Sequence, residues 1–322
     1  MIFFIMQQTM FFFIPLLIVA LGGMFSERSG VVNIALEGIM LIGAFTSILF
    51  ISTIQHNPEM AHLHGQHLLL LGLLIAAATG VFVSCFHAYA SVNLKANQTI
   101  SGIAINIFAP AFAIYTARII SGGTQQVFFQ PQMFLMDSVP VLGAIPILGQ
   151  MFFQGAYITK YIGIAILVIS WFVLYKTRFG LRLRSCGEHP QAADSAGINV
   201  YHIRWAGVLI SGALAGMGGL VLIVPTAIAF NATVGGYGFL AIAVLIFGQW
   251  KPLKIVLAAF FFGLMQAITA SHSAIEFLRD LPIPTHFYNM TPYIATLILL
   301  AFTSRKSAAP RAIGQPYEKG LR

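Results

Sequence analysis

The chain has 322 residues, of which 58% are hydrophobic and only 8% charged, and its mean hydropathy is +0.86. Soluble domains carry about 25% charged residues, so the composition excludes one and points to an all-α polytopic integral membrane protein. The net charge of +8 does not imply nucleic acid, because the basic residues gather in connections between apolar stretches, mostly on one side of the membrane.

Crossing a hydrocarbon core takes about 20 apolar residues. Nine segments approach or exceed that length. Residues 6–24, 31–54, 68–92, 99–119 and 157–175 precede a central loop, and 205–224, 237–250, 253–270 and 287–303 follow it. The opening MIFFIMQQTMFF has no basic n-region, so it reads as the start of a span. The seventh segment is short, and is either a tilted span or a pair of half-helices around Gly235, Gly236 and Gly238. Nine crossings put the termini on opposite sides. With the C-terminus inside, only Arg118, Lys160 and Arg279 of the 17 Lys and Arg residues lie outside. The positive-inside rule therefore predicts N-out, C-in. Residues 1–303 form the membrane domain, with a cytoplasmic loop at 176–204, and 304–322 form an extended, basic cytoplasmic tail.

Two outer connections stand out. Residues 121–156 carry Asp137 as their only charge, together with Pro131, Pro140 and Pro146, and predict an ordered but irregular segment. Residues 271–286 predict a short amphipathic helix on the membrane face. His56, His62, His64 and His67 share one outer loop and suggest either a metal or pH response or a polar loop with incidental histidines; no metal site is assigned. Cys85 lies in a span and Cys186 in the central loop, which argues against a disulfide.

Polar residues inside the spans are costly and functional by default. Glu37, with Asn33 one turn earlier, either touches substrate or gate, or acts as hydrogen-bonded glue between helices. Asn106 precedes Pro110 and a helix kink, so it lines a path or joins helices. Asn231 and Thr233, with the glycines that follow, predict a break of the kind that transporters place along their translocation path. In ISGALAGMGG the pairs Gly212/Gly216 and Ala215/Gly219 are spaced for close helix packing. No phosphate-binding loop, nucleophile elbow, H-E-x-x-H or repeated filter sequence occurs, which argues against an ATPase, a membrane enzyme and a channel.

The longest charged interruption, KTRFGLRLRSCGEHPQAADSAGINVYHIR, spans residues 176–204. Pro190 can open a helix there and Gly197 can follow its end. The helix between them would be about 10 Å long, with Ala192, Ala193 and Ala196 on one small apolar face. Such a helix suits docking into a groove on another protein, although an ordinary connection has the same spacing.

FSERSGVVNIALEGIMLIGAF (25–45), TRFGLRLRSCGEHPQAADSAGINVYHIR (177–204), ISGALAGMGG, FGQWKPLK and AIGQPYEKG follow one another almost end to end. In this order they resemble the permease subunits of ABC importers that serve branched-chain amino acids, ribose and other simple sugars, and nucleosides. SERSGVVNIALEG and AIGQPY are most similar to the nucleoside branch. The resemblance implies a non-enzymatic permease in a bacterial cytoplasmic membrane, with no cofactor of its own. ATP and Mg would belong to a cytoplasmic ABC ATPase, a second related permease would complete the path, and an extracytoplasmic binding protein or lipoprotein would deliver solute. It also implies that the loop helix is the coupling helix, with Glu188, Pro190, Ala192, Ala193, Ala196 and Gly197 at the ATPase. Candidates for the path are Asn33, Glu37, Asn106, Phe108, Asn231, Tyr237 and Phe239, with Phe230, through stacking and amide hydrogen bonds. Tyr237 stands where relatives often carry a basic residue. Riboflavin or a simple sugar is the alternative cargo, and an ion-coupled carrier that depends on Glu37 or the histidines is the alternative class.

Overall fold

The apolar run that opens the chain forms α1 (Ile2–Arg28), and a helix that is apolar all round belongs inside a bundle. Leu16, Leu17, Val19, Ala20 and Leu21 accordingly have no exposed surface. The computed structural model describes residues 2–63, 65–139, 143, 145–146, 149–275, 284–303 and 308–319. Against or beyond α1 lie α2 (Leu36–Gln55), α3 (Gln66–Ala88, continued by a π turn to Asn93), α4 (Gln98–Ile120) and α5 (Ile158–Lys176). Then come α6 (Arg178–Glu188), α7 (Pro190–Ser195), α8 (Val200–Thr226), α9 (Tyr237–Phe247), α10 (Pro252–Ala270) and α11 (Thr285–Thr303).

Small residues hold the centre together. Gly216 of α8 sits against Gly43 of α2 and the carbonyl of Ala76 on α3, and Gly219 against the carbonyl of Met40. A Cβ at Gly216 would overlap the Ala76 carbonyl. Backbones this close gain van der Waals contact, which stands in for the hydrophobic effect between membrane helices. Most of α4 and α5 faces outward, with Ile107, Tyr115, Val168 and Ile169 exposed.

Among the described residues, seven helices are long and apolar enough to cross a membrane, not the nine expected. The first half of α11, THFYNMTPY, is too polar to join them. The expected span at 237–250 is α9, a half-helix of 11 residues, or about 16 Å. Gln249 and Trp250 stop it by adopting left-handed φ values of 50° and 54°.

The ends of the bundle differ. One, here called the basic end, gathers the close of α1, the start of α2, α6, α7 and the α9–α10 turn. At the other, the described residues between 121 and 156 are ordered as expected, and add small strands to a helical protein. There β1 (Val127–Phe128) pairs antiparallel with β4 (Ala229–Phe230), and β2 (Met136–Ser138) with β3 (Gln154–Ala156). Gln55 fastens this segment to α2 by exchanging hydrogen bonds with the Gln130 backbone at 2.8 and 3.1 Å. Half of the expected helix at 271–286, residues 276–283, falls outside the described residues; within the rest, His272–Ala274 is a 3-10 turn.

The tail is not an extended end. Residues 308–319 cross the basic end as a strap. The Ala312 N–H donates to the Gly187 carbonyl at 2.8 Å, and the Gly314 N–H to the Gly30 carbonyl at 3.1 Å. Tyr317 is buried against Cys186, Ala193 and Val200. The pattern of polar residues concealed this, because the strap binds mainly through backbone groups.

Candidate functional site

Helix α9 begins beside the start of α2, and its first N–H groups have no partner within their own helix. Those groups need acceptors, and the positive end of the helix dipole favours a carboxylate. Glu37, in the first turn of α2, supplies both. The Gly236 N–H donates to Oε1 at 2.9 Å and the Gly238 N–H to Oε2 at 2.6 Å. The chain can turn into this cap because Gly235 and Gly236 take φ values of 64° and 80°, which cost glycine little. Glu37 therefore needs no cationic partner.

The neighbouring amides are also engaged. Asn106 Oδ1 accepts from the Gly38 N–H at 2.8 Å, and its Nδ2 donates to the Ile34 carbonyl at 2.9 Å. This fastens the middle of α4 to the start of α2. Asn33 Nδ2 donates to Ser211 Oγ at 2.8 Å, and its Oδ1 accepts from the Ala35 N–H. Asn33, Glu37 and Asn106 thus form one polar seam where α2, α4, α8 and α9 meet.

The remaining path candidates are dispersed. Phe230 packs on Phe45 and Tyr237 on Phe12, and both are buried. Phe239 is 51% exposed and Phe108 58%. Phe108 stacks on Phe112 in an apolar groove of about 760 Å³ between α3 and α4, with Thr46 and Thr79 hydrogen-bonded to each other beside it. Asn231 instead lines a groove of about 580 Å³ at the strand-bearing end, with Gln126, Gln132 and Thr226. In the histidine loop, His56 bonds to the Ser52 carbonyl; the side chains of His62 and His64 lie outside the described residues.

At the basic end the loop helix forms where the sequence places it. Pro190 opens α7, and Gly197 follows its end at a φ of 80°. The Ile198 N–H closes that end on the Ala193 carbonyl at 3.0 Å. The alanine face is divided, however. Ala193 is buried with Cys186, Val200 and Tyr317, whereas Ala192, Ala196 and Gly197 are exposed. Burial pushes the Cys186 thiol up to about 11, so it stays protonated at neutral pH and serves as packing. Burial, reinforced by a hydrogen bond to Asp194 on α7, pushes the Tyr317 hydroxyl up to about 12.

A second network here joins residues far apart in sequence. The Trp250 indole N–H donates to the buried carboxylate of Glu27. Arg28 donates from Nε and Nη2 to the Trp250 carbonyl at 3.2 and 3.0 Å, while its Nη1 lies 3.6 Å from Glu188 Oε1. Arg204, buried at the start of α8, donates from Nη1 to the Gln315 carbonyl at 2.9 Å. In the sequence Arg28 and Arg204 count only as cytoplasmic charges, and Glu188 only as part of the contact with the ATPase. The one available signal is their position within SERSG and GQWKP, which names no partner.

These features are those of a helical membrane bundle with a broken element and an exposed loop helix, and known proteins match it along its length. The chain is 44% identical over 319 residues to NupQ, a guanosine ABC transporter permease of Bacillus subtilis, covering 99% of this chain and 97% of the relative. It is 40% identical over 312 residues to NupC, a nucleoside ABC transporter permease of Lactococcus lactis, covering 95% and 93%. A putative glucose ABC transporter permease of Haloferax volcanii, TsgC13, is 28% identical over 335 residues, covering 95% and 94%. The protein is a multi-pass protein of the bacterial cytoplasmic membrane and not an enzyme. With a family model matched over residues 5–301, it belongs to the branched-chain amino acid transport system / permease component family.

Proposed function

We propose that this permease moves nucleosides into the cell as one half of an ATP-driven importer. The observation that carries this is the 44% identity to a guanosine permease across nearly the whole of both chains. Phe108 and Phe239 are the path candidates whose rings are exposed, Phe108 with Phe112 stacked on it, and in this reading they stack on a base. In this reading the N-terminus is outside, the C-terminus and the basic end are cytoplasmic, and the segment after β4 crosses from the strand-bearing end to the basic end, the second part of its path being the half-helix α9. With α11 counted, eight full-length helices and the crossing completed by this half-helix make nine, the odd number that this orientation needs.

The exposed side of α7, with Glu188 at its base and Ala192, Ala196 and Gly197 on its surface, is then the contact with a cytoplasmic ATPase, which holds ATP and Mg, while Pro190 and Ala193 are buried beneath it. A second permease completes the path, and a binding lipoprotein docks over the strand-bearing end. Closure of the ATPases displaces α7, and the bundle alternates access by rigid-body movement.

The complex, purified with its ATPase, second permease and binding protein, tests this in proteoliposomes. Labelled guanosine should accumulate only with enclosed ATP, and unlabelled nucleosides should compete. ATP-driven uptake of riboflavin or glucose in its place would keep the importer and overturn the cargo. Uptake indifferent to ATP would overturn the class.

A further inference from the structure

We infer that Arg28 is a positioning residue that links the α6–α7 loop to the half-helix α9, and so passes movement of the loop to the centre of the bundle. The inference rests on the permease reading above. Glu188 is the last residue of α6, two before the proline that opens α7. Its carboxylate faces Arg28, and Arg28 holds the Trp250 carbonyl through two donors. There is no slack beneath this contact: a Cβ at Gly187 would run into the Arg28 carbonyl. The end of α6 therefore rests directly on the end of α1.

Trp250 in turn governs α9. Two consecutive non-glycine residues with positive φ, Gln249 and Trp250, form a costly turn that persists only when its surroundings hold it. Arg28 and Glu27 supply that hold, from the carbonyl side and the indole side. From the turn, α9 is a short rigid rod whose far end is fixed by two hydrogen bonds to Glu37. A displacement at Glu188 thus reaches Glu37 through one series of named contacts. In such a series, breaking one link has the same effect as breaking two.

The test uses the complete transporting complex and reads guanosine moved per ATP hydrolysed. Arg28→Gln and Glu188→Gln should each lower that ratio at least threefold, and the double variant should fall no further than the worse single one. Arg28→Lys keeps the charge but not the paired donors, and should restore part of the ratio. An Ile246→Cys substitution on the exposed side of α9 supplies a second reading. Its maleimide labelling rate should differ between nucleotide-free and vanadate-trapped complexes, and this difference should vanish with Arg28→Gln.

Uptake and hydrolysis that decline in equal proportion, losses that multiply in the double variant, or a labelling response that survives Arg28→Gln would each overturn the relay. A wild-type complex without ATP-driven uptake would overturn the permease reading and the relay together.

Discussion

Glu37 illustrates what a carboxylate in a membrane protein can be for. Its two oxygens serve two N–H groups of one helix start, so its charge is met by backbone dipoles. Glu37→Gln keeps one acceptor and should cost about 1 kcal/mol, whereas Glu37→Leu strands both N–H groups at about 1–3 kcal/mol each. Thermal unfolding of the purified permease should rank wild type above Gln and Gln above Leu; equal midpoints for Gln and Leu would refute the cap. The sequence made the cost of Glu37 legible but not its partner, because 199 residues separate it from Gly236. Asn106 was legible in the same limited way. Its position beside Pro110 marked a special point on α4, while its bonds to Ile34 and Gly38 depend on packing that no local pattern encodes.

Among the elements, α7 was the best foreseen, because proline at a helix start and glycine beyond its end act locally. Which side it presents was not, since that is set by the strap arriving from the end of the chain. The division of its alanines separates two effects of the same substitution. Ala193→Arg forces a charge into the cluster around Cys186 and Tyr317 and should unfold the basic end. Ala192→Arg lies on the exposed side and should leave the melting temperature within about 1 °C, since surface changes usually cost under about 0.5 kcal/mol. It should nevertheless abolish guanosine uptake and recovery of the ATPase with the permease. An Ala192→Arg complex that assembles and transports normally would remove α7 from the ATPase contact. Helix α9 was only half foreseen: its glycines and its shortness marked a break, but in the turn that ends it the left-handed positions are Gln249 and Trp250, not Gly248, which keeps a helical φ of −70°.

For the molecule as a whole, hydropathy located the long helices, because period and length suffice for them. It missed that the last described residues close the basic end. Ending the chain at residue 307 would uncover Cys186 and Val200 and remove the carbonyl that pairs with Arg204. A loss of about 3 kcal/mol or more is expected from the lost burial and the stranded guanidinium. It is measurable as an earlier thermal transition and a lower yield of folded permease. A truncated chain as stable as the full one would mean that the strap is ornamental.

The half-helix also constrains how the protein is made. A stretch of 11 apolar residues is too short to partition into lipid as a span while it leaves the ribosome. Its lodging must already exist when it emerges, with Glu37 and the end of α1 synthesised some 200 residues earlier and waiting. Insertion of this permease is therefore a templated act, in which the finished first half of the chain receives a piece of the second that the bilayer alone would refuse.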